Sequence, residues 1–238
     1  MRRTQHGAPM PEVSVVIPTM NEASSIGAVI DEVQTALVNW DAEILIVDTE
    51  SRDRTREIAT AKGARVVPEP RRGYGRAYKT GFAAATGTFV GTLDADLTYP
   101  ASRFPDFLAA LAEGRADFVS GNRLSTLSDG AMTGMHRVGN EILNVAFRTL
   151  YDSGIRDCQS GMWSFRRAIL PRLQLIHDGM AFSEELKLEV LRGGFRYLEI
   201  PIEYRVRVGE KKIRSMSDAT GNLLWLARKR VGWVPRGP

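Results

Sequence analysis

Two aspartates, one residue apart, follow a short apolar segment near the middle of the chain. Asp94 and Asp96 come directly after residues 88–93, whose β-branched side chains and preceding glycine are typical of a buried strand. A strand ending here would place both carboxylates at the carboxyl edge of a sheet, where ligands bind in open α/β folds. Such oxygen ligands suit Mg²⁺ or Mn²⁺ shared with a substrate phosphate. A solvated turn is the alternative, since aspartate is also common in turns.

Acidic and amide groups follow two earlier predicted strands in the same way. The first strand ends in residues 18–22, Pro-Thr-Met-Asn-Glu, and the second ends in Asp48. Because parallel strands end at the same edge of a sheet, these groups are expected to share one crevice with the aspartate pair. One carboxylate there can hold a ribose hydroxyl or a base edge, while the pair holds a metal ion on a diphosphate.

A basic segment with two glycines, residues 71–81, lies between these strands. Gly73 and Gly75 open a predicted helix, where the backbone can approach an anion closely. Arginines such as Arg72 add charge-assisted contacts. An ordinary helix cap is the alternative. The segment does not match G-x-G-x-x-G, so a dinucleotide site of the Rossmann type is not predicted.

Predicted strands and helices alternate over residues 1–120, which is typical of a nucleotide-binding half-domain with a parallel sheet and right-handed crossovers. Ser24 or Ser25 is predicted to cap the first helix and Gly63 to end the second. Beyond residue 120 the pattern loosens. The predicted strands are residues 14–17, 43–47, 65–67, 88–93, 161–166 and 196–200, and the predicted helices are residues 24–38, 53–62, 74–86, 138–151 and 182–192.

Length and composition fit a globular α/β protein with a substantial core. The chain has 238 residues, of which 43% are apolar and 25% charged, and no stretch has linker composition. The single cysteine, Cys158, excludes an internal disulfide and fits a reducing compartment. The three histidines lie too far apart for zinc spacing. Residues 1–10 lack the apolar core of a secretory signal, and no run of 18 apolar residues predicts a membrane-spanning helix.

The net charge of +4 is unevenly distributed along the chain. From residue 192 onward there are eleven lysines and arginines against four acidic residues. This asymmetry favours a polyanionic or phosphorylated partner. Nucleic acid is not the predicted partner, because no helix-turn-helix, RNP or zinc-finger pattern is present.

Several motifs, taken together and in order, resemble those of family 2 glycosyltransferases with the GT-A fold. Within that family the sequence is most similar to dolichyl- or polyprenyl-phosphate mannose and glucose synthases. The motifs that carry the family resemblance are residues 14–22, 47–55 and 72–77 together with Asp94-Ala95-Asp96, and those that carry the similarity to the synthases are residues 121–123, 157–162 and 207–212.

The resemblance implies a fold and a division of the chain. Residues 13–213 are expected to form a GT-A domain, with a Rossmann-like, mostly parallel central sheet flanked by helices. A flexible arm, residues 1–12, precedes it. A basic amphipathic helical extension, residues 214–238, follows it.

The resemblance also implies an activity: inverting, metal-dependent transfer of a hexose from a nucleotide sugar to a polyprenyl phosphate. GDP-mannose and UDP-glucose are the expected donors, and Mg²⁺ or Mn²⁺ the expected cofactor, held by Asp94 and Asp96. The implied catalytic residues, several of which would meet donor or acceptor phosphates, are Asp96, Arg123, Arg207 and Lys212. Glu184 is a further catalytic candidate, as a general base, on chemical grounds alone. The implied donor-binding residues are Pro18, Thr19, Glu22, Asp48, Arg72, Gly75, Asp94 and Ala95.

Three positions depart from the pattern of the family. Thr49 replaces a second aspartate that commonly follows the second strand, where the base is recognised. Thr98 stands where a glutamine can assist the metal. Lys211 occupies the usual serine position of the R-x-G-x-S-K motif.

The identity of the acceptor depends on whether a general base is needed. A phosphate is already ionised at pH 7, so positioning by cations suffices, whereas a hydroxyl needs a base, commonly a carboxylate. Glu184 or Glu185 could be that base. Alternatively they begin an ordinary helix, capped by Ser183, where the helix dipole stabilises the negative charge of glutamates.

A basic set that includes Arg205 and Arg207 favours a phosphate acceptor; a solvated tail is the alternative. Two other functions stay open: a transferase acting on a soluble hydroxyl acceptor, and a nucleotide-sugar-binding protein without turnover.

The tail, residues 216–233, combines an apolar set with a basic cluster, a pattern that suits an interfacial helix on anionic lipid. Docking on the catalytic domain is the alternative. With a lipid-phosphate acceptor, the expected location is the cytoplasm, peripherally on the cytoplasmic face of a membrane. The residues that define this pattern are Leu223, Leu224, Trp225, Leu226, Arg228, Lys229, Arg230 and Trp233.

Overall fold

The computed structural model describes residues 11–128, 130–209 and 215–232. Within them, seven strands form one mixed sheet with helices on both faces. The strands are β1 (Val13–Thr19), β2 (Ala42–Asp48), β3 (Arg65–Pro68), β4 (Phe89–Thr92), β5 (Phe118–Leu127), β6 (Trp163–Arg166) and β7 (Tyr197–Tyr204). The α-helices are α1 (Ile26–Ala36), α2 (Thr55–Ala61), α3 (Tyr74–Ala84), α4 (Phe104–Ala112), α5 (Gly134–Tyr151), α6 (Phe182–Arg192) and α7 (Ser215–Arg230).

The order of the strands creates a crevice beside β1. The sheet runs β3-β2-β1-β4-β6-β5-β7, and β1 pairs in parallel with both β2 and β4. The chain therefore moves outward from β1 to β3 and returns on the other side of β1 at β4. Such a switch point opens a crevice at the carboxyl ends of the strands. β6 is antiparallel to β4 and β5, while β7 is parallel to β5, so the predicted mostly parallel sheet is confirmed.

The central strands are buried on both faces, as their near-continuous apolar sequences predict. Successive side chains alternate between faces, so Val15 and Ile17 pack with α1 and α4 while Val16 packs with α3 and α6. A third cluster lies between α5, α6 and α7 and includes Phe147 and Leu226. The sheet thus holds the ends of β1, β2 and β4 rigidly between two packed layers.

Most predicted elements are present, and the differences lie in helix caps and in the second half. Ser25 occupies the N-cap position of α1, but its side chain makes no capping bond to the helix; it lies 3.3 Å from the Glu22 carbonyl oxygen instead. The proposed Ser183 cap is wrong, because α6 already begins at Phe182. Gly63 ends α2 with a φ of +80°. α4 and β5 were not predicted.

Helix α7 packs against the domain instead of standing apart from it. Trp225 and Leu226 are buried in one cluster with residues of α5 and α6, and the Tyr151 hydroxyl donates to the Leu226 carbonyl at 2.7 Å. The lipid-facing role predicted for these two side chains is therefore wrong. Leu223 and Leu224 remain exposed, and Trp233 lies outside the described residues. No helix in the described ranges has the length and apolarity to cross a membrane.

Gly81 provides a test of how tightly α3 packs on the sheet. A Cβ at this position would lie 2.3 Å from Val16 Cγ1 and 2.9 Å from Val47 Cγ2. Overpacking of this kind costs about 1–3 kcal/mol, so Gly81→Ala should lower the melting temperature in calorimetry. Gly139→Ala on α5 is the control, since nothing lies within 4 Å of its added Cβ; it should be neutral or stabilising. Equal melting temperatures for the two variants would contradict the tight packing.

Candidate active site at the strand ends

A cleft of about 240 Å³ opens at the carboxyl ends of β1, β2 and β4. It brings together the three sets of strand-end residues that the sequence predicted to converge. The remaining wall comes from residues 72–77 and from two single residues, Met180 and Arg207. The lining residues are Pro18, Thr19, Met20, Glu22, Thr49, Arg72, Gly73, Tyr74, Ala77, Asp94, Ala95, Asp96, Met180 and Arg207.

The turns that follow these strands have unusual backbone conformations. Asn21, Glu50 and Leu97 have φ values of 54°, 49° and 66°, a region that side chains other than glycine rarely adopt. Hydrogen bonds between turns hold this geometry: the Asn21 amide donates to Ser51 Oγ at 2.8 Å, and the Arg52 amide to Asn21 Oδ1 at 2.7 Å. Strain of this kind clusters at functional sites, and here it occurs at all three strand ends.

Asp48 lies behind Thr19 at the end of β2. Its carboxylate accepts the Ser51 amide at 3.1 Å and the Thr19 hydroxyl at 3.4 Å, and the carboxylate is almost fully buried. Arg56 Nε lies 3.8 Å away. Asp48 is therefore at the edge of the cleft, under Thr19 and Thr49, and not among the residues that line it.

Arg207 bridges the acidic groups across the cleft. Its Nη1 lies 3.3 Å from Asp96 Oδ2, and its Nη2 lies 3.6 Å from Glu22 Oε1. The other oxygen of Asp96 accepts the Thr98 amide at 3.1 Å and the Thr98 hydroxyl at 2.6 Å. Thr98, which departs from the family pattern, thus orients Asp96.

Asp94 is partly buried and strongly affected by its surroundings. The pKa of its carboxyl is raised to about 7, mainly by loss of solvent and also by the charge of Asp96, while Arg207 and Arg123 oppose the change. The Tyr78 hydroxyl lies 3.4 Å from Asp94 Oδ1. Ionising two neighbouring carboxylates together costs free energy where little water solvates their charges.

A divalent cation would fit this pair, because it would remove the cost of ionising both carboxylates. Hard oxygen ligands are the kind that Mg²⁺ and Mn²⁺ prefer. Among the described residues there is no group of three or more acidic, histidine or cysteine side chains placed to hold a metal. A cation here would therefore complete its coordination with oxygens of a ligand or water.

Gly73, at the N-cap of α3, lines the cleft, but Gly75 does not present its backbone amide to it. The Gly75 amide donates to the Gly179 carbonyl at 3.3 Å and the Arg76 amide to the Asp178 carbonyl at 3.1 Å. A Cβ at Gly75 would lie 2.5 Å from the His177 carbonyl oxygen. Glycine is required there by packing, and the prediction that it approaches a bound anion is wrong. Arg72 is exposed and lines the cleft.

Arg123 has a partner that the sequence did not reveal. Its Nε and Nη2 each lie 2.8 Å from a carboxylate oxygen of Asp157, and its guanidinium lies 5.3 Å from the centre of the Tyr204 ring. Only 7% of Arg123 is exposed, and it does not line the cleft. Its charge nevertheless lowers the pKa of Asp94.

Glu184 is fully buried at the start of α6, and it does not line the cleft. The Gln159 side-chain amide donates to its carboxylate, and burial raises the pKa of Glu184 to about 7. Lys187, also buried, donates to the carbonyls of Asp157 and Ser160 at 2.5 and 3.2 Å. The start of α6 therefore supports residues 157–160 from behind. Lys212 lies outside the described residues.

Sequence reasoning missed Tyr74 and Met180 as parts of the cleft wall. Tyr74 belongs to the glycine-rich motif, in which the glycines and arginines, and not the aromatic residue, indicate anion binding. Met180 lies in an irregular segment between β6 and α6, where no periodicity or motif marks its position.

Comparisons with known proteins show the family of the chain. The family described as "Glycosyl transferase family 2" matches residues 14–173. In Haloferax volcanii, the low-salt glycan biosynthesis hexosyltransferase Agl6 is 33% identical over 232 residues, which cover 96% of this chain and 56% of that protein. The dolichyl-phosphate hexose transferase of the same organism is 34% identical over 202 residues, which cover 85% and 86%. The chain thus spans little more than half the length of Agl6.

Among solved structures, glucosyl-3-phosphoglycerate synthase from Mycobacterium tuberculosis, in complex with Mn²⁺, uridine diphosphate and phosphoglyceric acid, has a TM-score of 0.76. It is 21% identical, and the match covers 98% of this chain and 87% of that one. At this identity the likeness establishes the fold.

The family match and the likeness of fold, together with the cleft at the strand ends, identify a glycosyltransferase of the GT-A fold. The chain belongs to glycosyl transferase family 2. The predicted family and fold are therefore confirmed.

The raised pKa of Glu184 predicts how a variant should respond to pH. The folded protein keeps the proton up to about pH 7, whereas the unfolded chain releases it near the usual value of 4.5. The free energy of unfolding of the wild type should therefore fall as the pH rises from about 4.5 to about 7. Glu184→Gln, which has no proton to lose here, should not show this fall. The stability of the variant relative to wild type should rise from pH 5 to 8, by at most on the order of 3 kcal/mol.

Thermal unfolding at several pH values measures this difference. Glu57→Gln, at an exposed position on α2, is the control and should show no such trend. A difference for Glu184→Gln that does not change with pH would contradict the buried, protonated state. Turnover that survives in Glu184→Gln would exclude a role as general base.

Proposed function

We propose that the protein is a metal-dependent, inverting hexosyltransferase that moves mannose or glucose from a nucleotide sugar to a polyprenyl phosphate. The observation that carries this proposal is the placement of Asp94, Asp96 and Arg207 around one cleft. Negative and positive groups so arranged suit a diphosphate with its metal ion. The stereochemistry and the donor are taken from the family resemblance.

In this proposal the cleft binds the donor. Asp94 and Asp96 would hold Mg²⁺ or Mn²⁺, and the ion would supply charge neutralisation of the leaving diphosphate. Pro18, Thr19 and Glu22, with Asp48 behind them, would hold the nucleoside, and Arg72 would meet the diphosphate. The complex of glucosyl-3-phosphoglycerate synthase with Mn²⁺ and uridine diphosphate supports a donor site of this kind.

The carboxylates of the cleft favour a phosphate acceptor over a hydroxyl acceptor, because none of them is available as a general base. The carboxylates that line it, within the described part of the chain, are those of Glu22, Asp94 and Asp96, and Arg207 lies near two of them. No further carboxylate of the lining is left to take a proton from a hydroxyl. An ionised phosphate needs none, and Arg207 and Lys212 would position it. The dolichyl-phosphate hexose transferase supports this choice of acceptor.

One observation favours a second candidate, transfer to a soluble hydroxyl acceptor. The pKa of Glu184, raised to about 7 by burial, suits a general base. Gln159, which contacts Glu184, would then have to move for the carboxylate to reach the cleft. This requirement makes it the weaker candidate.

Peripheral contact with a membrane is part of the proposal and uses the outer face of α7. Leu223 and Leu224 are 37% and 56% exposed, and at 100° per residue they fall on one side of the helix. Val231, which directly follows the last residue of α7, is 85% exposed. Arg228 and Arg230 flank this side. An apolar stripe bordered by arginines suits the interface of an anionic bilayer. We infer a location on the cytoplasmic face of a membrane.

The transfer reaction can be tested directly with radiolabelled GDP-mannose and UDP-glucose, a short polyprenyl phosphate in detergent, and Mn²⁺ or Mg²⁺. Label should move into the organic phase and should be lost with EDTA. Asp96→Asn should lower the rate at least about 100-fold, because the metal ion loses one of its two carboxylate ligands. Asp106→Asn, at a half-exposed surface ion pair with Arg103, is the control and should retain activity.

The products distinguish the two candidates. Metal-dependent hydrolysis of the donor without an organic-phase product would move the acceptor to a soluble hydroxyl compound. Binding of the donor with neither transfer nor hydrolysis would indicate a nucleotide-sugar-binding protein and overturn the proposal.

Membrane contact can be tested with vesicles of phosphatidylglycerol and phosphatidylcholine. Binding to the anionic vesicles should weaken with salt, and Leu224→Glu should reduce it about tenfold, since an inserted apolar side chain is replaced by an anion. Val38→Glu is the matched control, because Val38 is 76% exposed next to α1. Equal binding by the two variants, or by a chain truncated at Ser215, would exclude α7 as the contact.

A further inference from the structure

One wall of the cleft is an irregular segment, residues 174–180, which lies across the start of α3. Its carbonyls at Asp178 and Gly179 accept the Arg76 and Gly75 amides at 3.1 and 3.3 Å. The fit is close, because a Cβ at Gly73 would lie 2.4 Å from the Asp178 carbonyl oxygen. Residue 180 of this segment, a methionine, lines the cleft. The position of the segment therefore determines the shape of the cleft beside Arg72, Gly73 and Tyr74.

Two glutamates of α6 hold this segment through backbone amides. Glu185 Oε2 accepts the amides of Ile176 and His177 at 3.0 and 2.8 Å. Glu189 Oε2 accepts the Gln174 amide at 3.2 Å. Both carboxylates are buried, so their charges need a counter-ion within the protein.

Helix α7 provides that counter-ion from behind. Lys229 Nζ lies 3.4 Å from Glu185 Oε1 and 3.3 Å from Glu189 Oε1, the oxygens that do not bind the segment. Only 4% of the Lys229 side chain is exposed. Arg192 also approaches Glu189 Oε1, at 3.6 Å, but from a half-exposed position. Each glutamate thus connects the same lysine to the segment.

An aromatic contact adds a second connection between α7 and the segment. The ring of Trp225 meets the ring of His177 edge-on, with their centres 5.6 Å apart. Lys229 Nζ lies 5.6 Å from the centre of the Trp225 ring. The His177 Nδ1 accepts the Gly179 amide at 3.0 Å, so the contact reaches the turn that carries residue 180.

We propose that Lys229 is a positioning residue for donor binding: through Glu185 and Glu189 it fixes the segment 174–180 and hence the adjoining wall of the cleft. Neither the glutamates nor the lysine lines the cleft, so the effect is transmitted through the backbone of the segment. The effect on the donor rests on the proposed function, whereas the effect on the segment does not.

The first experiment measures the segment itself. Hydrogen–deuterium exchange of wild type should show protected amides at Ile176 and His177, and Lys229→Met should increase exchange there at least about tenfold. Lys229→Arg, which keeps the charge, should restore protection. Lys62→Met is the matched control, since Lys62 forms an ion pair with Asp31 on the surface; it should leave this segment unchanged. Unchanged exchange at 174–180 in a folded Lys229→Met protein would overturn the proposal.

The second experiment measures the cleft by calorimetric titration with uridine diphosphate and guanosine diphosphate in the presence of Mn²⁺. Lys229→Met should raise the Kd of whichever diphosphate wild type binds by about tenfold, with recovery in Lys229→Arg. In turnover, KM for the donor should rise more than kcat falls. An unaltered Kd in Lys229→Met would overturn the link to the cleft. If wild type binds neither diphosphate, the proposed function fails while the exchange result still decides the role of Lys229.

Loss of the lysine leaves the buried Glu185 without its counter-ion and Glu189 with only the half-exposed Arg192, which could unfold the protein. The double variant Lys229→Met/Glu185→Gln removes one of these charges while keeping an oxygen that can accept the segment amides. It should be more stable than Lys229→Met alone. Its segment should exchange more slowly than in the single variant but faster than in wild type. Exchange equal to wild type would show that the lysine is not needed to fix the segment.

Discussion

The cost of ionising Asp94 and Asp96 together, away from water and close to each other, is the constraint on which the site depends. Burial makes it costly to ionise both carboxylates, which is why the pKa of Asp94 rises to about 7. The surroundings offset this cost only in part: Arg207 lies 3.3 Å from Asp96, and Thr98 donates two hydrogen bonds to it. A site left short of positive charge in this way is prepared to bind a cation together with a ligand that the cation can bridge.

A buried layer behind the aspartates keeps them in place. Arg123 and Asp157 form a two-bond ion pair, and Lys187 holds the carbonyls of Asp157 and Ser160. The turn fixed in this way ends at Gly161, where a Cβ would lie 2.4 Å from Tyr74 Oη and 3.5 Å from Asp94 Oδ1. The motif at residues 157–162 therefore acts on the cleft through packing and positioning, not through direct contact with it.

What could be predicted from the sequence is what neighbouring residues determine. β-branched runs predicted β1, β2 and β4, and their parallel order brought Glu22, Asp48 and the aspartate pair to one edge. What could not be predicted depends on distant parts of the chain. The partner of Arg123 lies 34 residues away, and Gly75 is required by the His177 carbonyl more than a hundred residues later. No local pattern shows which acid meets which base, or that Glu184 is buried.

The basic C-terminal part of the chain also shows that a local sequence pattern does not reveal which charges are paired in the fold. Its excess of lysine and arginine predicted a polyanionic partner, yet several of these residues are paired with acidic side chains of the same protein. Arg196 lies 2.8 Å from Asp117, and Arg205 lies 2.9 Å from Glu32. Lys229 is likewise buried between two acids of α6. Among the described residues of this part, Arg207 is the cation that lines the cleft. Charge asymmetry along a sequence therefore measures the potential to bind an anion only after internal pairs are subtracted. Here Arg196, Arg205 and Arg207 pair with acids of the first half of the chain, and Lys229 pairs with acids of the second half.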